Sequence, residues 1–497
     1  MSVQTQYWPL GGGLDLVSPA MSLGPGNAIL AQNFECALGG GYRRIDGYAI
    51  FDGRVSGTPL AVAGSGPIRG IWEYADTVYA FRDNAAGTAC VMHKSTTNGW
   101  VVVTTPSLAV GGTYDFLTYN FSGHSGYGKM YGCDGANKAF QFDGTTYTQL
   151  TTGMTTDTPT HVGVHKNHLF LSFAGGSVQH SGIGDPTSWT LATGAGELGL
   201  GTEVTGLRSM QGNSLVITGE DRINVLYGTS ASNWDLQSFS MESGATERSQ
   251  AYIETGLYFF NGDDLSSMSA TQSFGDFETS SISAAVNPYL KPRKGLIVGA
   301  SVNKDKNQYR LFFSDKSVLV GTIANGQVVG FTNWLLSDTP SFIAENHFGS
   351  TDGKVMKMDT GSSFNGVAIQ SFLRLAFTPL GTPQNKKRYR KAILEVESGG
   401  QSTLNYVADY DYGTGGSSVS VQTTIPGAVS GGGGGGFWDV ATWDNFVWSS
   451  AVVAQAEAYL NGTGKNISLL IVHTSATDPA FTVQGVQLNY SIRGLNR

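Results

Sequence analysis

The chain has 497 residues, a formal net charge of −8 and 14% charged residues, against a usual share of about 25%; that length allows about three domains or one long repeated β architecture. The acidic balance excludes a general nucleic-acid binder, because affinity for phosphate needs Lys and Arg to displace counterions, so any DNA contact should be transient sliding. Three widely spaced cysteines, Cys36, Cys90 and Cys133, with no C-x-x-C pair, exclude a disulfide framework and a zinc site, and no cofactor is expected.

The opening MSVQTQYWPLGGGLDL has no basic segment followed by an apolar one, and no run approaches the roughly 18 apolar residues of a membrane helix. A soluble chain without a signal peptide or membrane insertion is expected. Residues 1–60 read as an N-terminal arm with docking strands: GGGLDLVSPAMSLGPGNA is rich in Gly and Pro, and NFECALGGGYRRIDGYAIFDG reads as two strands around a glycine turn. In propellers a strand from one chain end often completes the last blade, which gives such a segment a structural place.

Residues 61–380 alternate with period two between turn residues, as in IRGIWEYADTVYAFRD, HLFLSFAGGSVQHSG and QYRLFFSDKSVLVGTI. Trp100, Trp189, Trp234 and Trp334 stand 89, 45 and 100 residues apart, multiples of a unit of about 45–50 residues, the length of a four-stranded propeller blade. The fold class expected is all-β: a β-propeller of about six or seven blades, not necessarily regular, followed by a β-sandwich over 381–497. AAVNPYLKP offers at most one helical turn. Strands ending in Asp-Gly recur at Asp52-Gly53, Asp134-Gly135 and Asp143-Gly144, and more loosely at Asp359 to Gly361. Aspartate accepts amide hydrogen bonds two residues on and glycine supplies a positive φ, so these are read as turns.

Enzyme signatures are sparse. Gly194-Ala-Gly196-Glu-Leu-Gly199 lacks the strand–helix context of a dinucleotide site, and GSTDGK is one residue short of a P-loop. Asp263-Asp264 and Glu220-Asp221 sit in turns and are read as solvated. In HVGVHKNHLFLSF, His161 and His165 share one face of an alternating strand with His168 on the other, and no metal site is expected. The chain is expected not to be an enzyme.

Two features stand out as candidate contact sites. The basic cluster Lys386, Lys387, Arg388, Arg390 and Lys391 in PLGTPQNKKRYRK, and the pair Arg43-Arg44, are assigned to a subunit or partner interface. The run Gly431, Gly432, Gly433, Gly434, Gly435 and Gly436 is assigned to a channel or gate loop, because polyglycine packs no side chains. Trp438, Trp443 and Trp448 beside it are read as core and interface anchors.

WPLGGGLDLVSPA with GYRRIDGYAIFDGR, GDPTSW at 184–189, FGDF at 274–277, NQYRLFFSD at 307–315 and the closing NYSIRGLNR together resemble the tail nozzle, or tail hub, proteins of short-tailed bacteriophages. The resemblance implies a propeller with an attached sandwich, made in the host cytoplasm and housed in the virion tail. It further implies a homohexameric ring below the portal and adaptor, lining the channel for genome ejection, with tail fibres or a plug as further partners. It supplies no catalytic residues. The competing expectation is a carbohydrate-binding or polysaccharide-degrading tail protein.

Overall fold

The computed structural model describes residues 3–121, 123, 126–210, 214–254, 256–270, 277–398, 402–413, 425–429 and 453–495. Among these, antiparallel four-stranded sheets follow one another along the chain. The first holds Ser65–Tyr74, Thr77–Asp83, Cys90–Thr96 and Gly99–Val102. Six further first strands begin at residues 115, 161, 204, 251, 297 and 340, so the unit recurs every 43–50 residues. The tryptophan period is therefore real: Trp100 and Trp334 lie in fourth strands, and Trp189 and Trp234 in segments leading into them.

Blade 7 takes only three strands from its own stretch, Pro340–Ile343, His347–Ser350 and Val355–Met358. Its fourth is Tyr48–Ile50, antiparallel to the third with Met356 opposite Ile50 and Met358 opposite Tyr48. The ring thus closes by pairing the two ends of the repeat region, which places long-range contacts where a linear repeat would leave an edge. At the seam between blades 7 and 1, Arg82 donates to the carbonyls of Gly66, Val62 and Asp352, and Ser341 Oγ donates to Ile68 O at 3.0 Å.

Apolar side chains fill the seams between blades. Phe81, Phe116, Phe140 and Phe342 join blades 7, 1 and 2; Tyr131, Val162 and Leu171 join 2 and 3; Leu207, Leu215 and Phe170 join 3 and 4. Val225 with Leu257, Tyr258 with Leu311, and Phe312 with Phe348 continue the series round to blade 7. Strand faces buried on both sides explain continuous apolar runs such as Leu311–Phe313, where strict alternation fails.

The second unit is a two-sheet sandwich drawing strands from both chain ends. One sheet contains Phe34–Cys36, Tyr42–Arg44, Phe481–Leu495, Asn385–Ser398 and Val453–Gly464, with Gln4–Pro9 also paired to Phe481–Leu495. The other contains Ala28–Gln32, Val367–Leu375, Ile467–Ser475, Ser402–Tyr410 and Ile425–Val429. Phe34, Tyr42, Leu373, Leu394, Ile471 and Val486 pack between them. The N-terminal segment is therefore built into sandwich and propeller alike, and Val367–Leu375, which precedes residue 381, belongs to the sandwich. Pairing partners about 100 residues apart leave no local trace in the sequence. The second sheet also runs on into the propeller: Gln32 pairs with Asn333 of blade 6, and Ser363–Phe364 bridges Tyr48 to Val367–Leu375. The single helical turn expected near Pro288 extends, as short helical pieces, over residues 284–296.

Candidate functional site: buried charges and the axial cavity

Most residues singled out for partner contact are occupied within the chain. Arg44 is 0% exposed, and its guanidinium donates to the carbonyls of Asp478, Ser362 and Ser475. Arg43 donates to Glu35 at 2.6 Å and to both carboxylate oxygens of Asp46 at 2.8 and 2.9 Å. Lys387 is likewise 0% exposed, with Nζ donating to the carbonyls of Thr382, Asn385 and Lys465 at 2.6–3.2 Å. The interface assignment is corrected for Arg44 and Lys387, which are fully buried, while Arg43 is half-buried. Buried cations persist only where carbonyls or carboxylates replace water, and here the sandwich supplies them. Within the basic run, strand alternation puts Lys387 and Tyr389 inward and leaves Arg388 and Arg390 exposed. Lys386 is half-buried, and Lys391 pairs with Glu457 and lies 5.8 Å from the centre of the Tyr459 ring. Gly431 to Gly436 and the neighbouring tryptophans lie outside the described residues.

Arg43 belongs to a balanced junction of three cations and three carboxylates where sandwich, blade 6 and blade 7 meet. Lys306 contacts Glu35, Asp46 and Asp359 at 3.1, 2.9 and 2.8 Å. Arg310, 1% exposed, grips Asp359 through two bonds of 2.6 and 2.9 Å, donates twice to Gln308 Oε1 and lies 4.6 Å from the centre of the Trp334 ring. Burial works against the charges of Asp359, Asp46, Lys306 and Arg43. Even so, Arg310 and Lys306 hold Asp359 well below the usual carboxylate range, Arg43 and Lys306 do the same for Asp46, and the surrounding carboxylates raise Lys306.

The turn aspartates divide. Asp134 accepts from the Ala136 and Asn137 amides, Asp143 from Thr145 and Thr146, and Asp52 from Arg54, as turn chemistry requires. Asp359 instead spends its carboxylate on Arg310 and Lys306. Asp263-Asp264 and Glu220-Asp221 lie in hairpin turns, with Asp221 bonded to Thr202 and Arg222.

The histidines are arranged differently from the single strand that was expected. Lys166 and Asn167, at φ 45° and 63°, make a two-residue hairpin, so His165 and His168 stand opposite one another on the same face. With His180 they surround Trp234, whose indole N–H donates to His180 Nε2 at 3.1 Å. Burial, aided by Lys166, pushes His165 down to about 4, and burial also lowers His180. Among the described residues no three His, Cys, Asp or Glu side chains are placed to hold a metal.

One feature went unread in the sequence. The first strands of all seven blades converge on an axial cavity of 430 Å³ that opens to solvent. Its lining includes Trp72, Asp115, Arg208, Ser209, Tyr252, Ser301, Lys304 and Glu345. Asp115 Oδ2 accepts the Val162 amide at 3.2 Å and stands 3.7 Å from both Arg208 and His161. Burial would raise its pKa, but Arg208, His161 and the Val162 amide hold it at about 2. Arg208 donates to its neighbour Leu207 O at 3.0 Å. Ser301 Oγ, in a residue 5% exposed, has no hydrogen-bond partner among the described residues. Lys304 and Glu345 pair at 2.7 Å. These lining residues are scattered over 274 positions, from Trp72 to Glu345, and each looks ordinary in its own stretch.

No family model matches the chain, and no curated protein does. Solved structures of similar fold include virginiamycin B lyase from Staphylococcus aureus, with a TM-score of 0.44 and 13% identity over 60% of this chain and 95% of that one. They also include YCF48 bound to D1 peptide, at 0.41 and 8% identity over 62% and 98%, and U3-55K, at 0.42 and 10% over 63% and 98%.

Proposed function

We propose that the chain is a non-enzymatic virion protein, the tail nozzle of a short-tailed bacteriophage, acting as a ring of six copies below the portal and adaptor. The observation that carries this reading beyond the sequence resemblance is the interweaving of the two units. Strands from residues 4–50 enter both sandwich sheets and blade 7, and the Arg310–Asp359 junction ties them together. Such a body transmits load across its whole width, as a channel wall under genome pressure must. Its low charge and net −8 suit a wall along which phosphate slides without being held.

The dimensions of the propeller constrain where a bore would lie. A cavity of 430 Å³ is the size of a small-molecule pocket, roughly 300–1,000 Å³, so a duplex would have to pass between copies and not along a propeller axis. Outer strands of blades 1 to 5, such as Gly99–Val102 and Asp235–Ser240, have no further strand beside them among the described residues, whereas blades 6 and 7 are covered by the sandwich. Those five edges are open to neighbours among the described residues.

Native mass and negative-stain images of the protein with its adaptor are expected to give a six-fold ring with a bore wide enough for duplex DNA. A monomer that joins neither adaptor nor portal sinks the reading. The exposed pair Arg388 and Arg390 is retained as a partner contact: Arg388→Glu with Arg390→Glu is expected to weaken ring assembly and leave monomer melting unchanged. Unchanged assembly would remove the pair from the interface.

A further inference from the structure

We propose that the axial cavity is a binding site for a carboxylate-bearing sugar unit, with Arg208 taking the carboxylate and the Trp72 and Tyr252 rings flanking the pyranose. The inference is independent of the nozzle reading, since it rests on the propeller alone.

Three observations select this chemistry. First, a guanidinium has five N–H donors in a planar fork, and among the described residues Arg208 makes one hydrogen bond, to Leu207 O, and a 3.7 Å ion pair with Asp115. The contrast with Arg310, which makes four bonds to Gln308 and Asp359, shows what a satisfied guanidinium in this protein looks like. A carboxylate fits the donors of the fork that remain beside that ion pair, in two parallel bonds.

Second, the lining carries hydroxyl-reading groups around that fork. The Asp115 carboxylate receives the Phe116 and Val162 amides at 3.2 Å each and keeps acceptor capacity on both oxygens. Ser301 Oγ, buried in a lining residue, has no partner among the described residues, a state that costs free energy.

Third, aromatic surface lines the cavity. Trp72 has its indole N–H engaged by Thr118 Oγ1 at 2.9 Å and is stacked on Phe116 at 5.7 Å, so it enters the site as a fixed apolar plate. An inorganic anion would leave that plate unused, and a neutral hexose would leave Arg208 unused. The sugar acid uses both. Lys304 and Glu345, paired and exposed, form the rim.

Calorimetric titration of the full chain with sodium glucuronate, glucose and sodium acetate tests the assignment. Glucuronate is expected to bind at least about tenfold more tightly than either of the others, and R208Q to lower its affinity by about tenfold or more. R208K, which keeps the charge but not the fork, is expected to lose most of that affinity too, and it serves if R208Q does not fold. Binding of glucuronate unaffected by both variants, equal affinity for glucose or acetate, or no binding at millimolar glucuronate would each overturn the site.

Discussion

The charged junction and the axial cavity are built from the same residue types and treat them oppositely. At the junction, Arg310, Arg43 and Lys306 face Asp359, Asp46 and Glu35, so each buried charge is answered by another within 3.1 Å. In the cavity, Arg208 and Asp115 stop at 3.7 Å and keep an open path to solvent. A buried charge whose partners are all internal is a structural clamp; one left short of its partner at the wall of a cavity is available to a ligand. Local sequence does not distinguish them, since Arg208 in VTGLRSM and Arg310 in QYRLFF both sit mid-strand among apolar neighbours.

Breaking the clamp should give the largest effect. Asp359→Asn leaves Arg310 buried beside a neutral amide, and loss of one partner of a buried pair costs about 3–5 kcal/mol; urea unfolding should show it, and a loss below about 1 kcal/mol would mean that the junction is solvated. Replacing Arg310 and Asp359 together by Met and Leu should recover much of the loss, because two well-packed apolar groups remove the unanswered charge.

Acid should act next. Asp359 and Asp46 have depressed pKa values, so their contribution is present above the unfolded carboxylate range near pH 4 and is lost as the pH falls below it. The buried histidines act earlier. His165 and His347 titrate at about 4 when folded and near 6.5 when unfolded, so the unfolded state binds more protons between those values and stability falls as the pH drops from about 6.5 to 4. Each such histidine is worth up to about 3 kcal/mol. Melting followed from pH 7.5 to 4 should decline steadily, and a flat profile down to pH 5 would refute the histidine term.

A smaller contrast lies within one strand. Lys387→Met orphans three carbonyls and should cost about 1–3 kcal/mol, whereas Arg388→Ala, one residue away and exposed, should stay within about 0.5 kcal/mol. Equal effects in chemical unfolding would contradict the inward placement of Lys387.

What could be read along the chain was what depends on near neighbours. The all-β class, the blade period carried by Trp100, Trp189, Trp234 and Trp334, and the turns of Asp134 and Asp143 all rest on spacing and side-chain chemistry within a few residues. The partners of Arg44, Lys387 and Asp359 were not legible for the opposite reason. Their partners lie elsewhere in the chain: Ser475 is 431 residues from Arg44, Lys465 is 78 from Lys387, and Arg310 is 49 from Asp359.

The amino-acid sequence alone determined that strands form, how long they are and where they turn, because period-two burial and Asp-Gly geometry are local properties. Only the tertiary structure decided which strands pair across the chain, that the first 50 residues belong to both units, that His165, His168 and His180 gather round Trp234, and that seven inner strands surround one axial cavity. Those outcomes are set by packing and charge pairing between distant segments, where the free energy depends on which groups meet and not on how they are spaced.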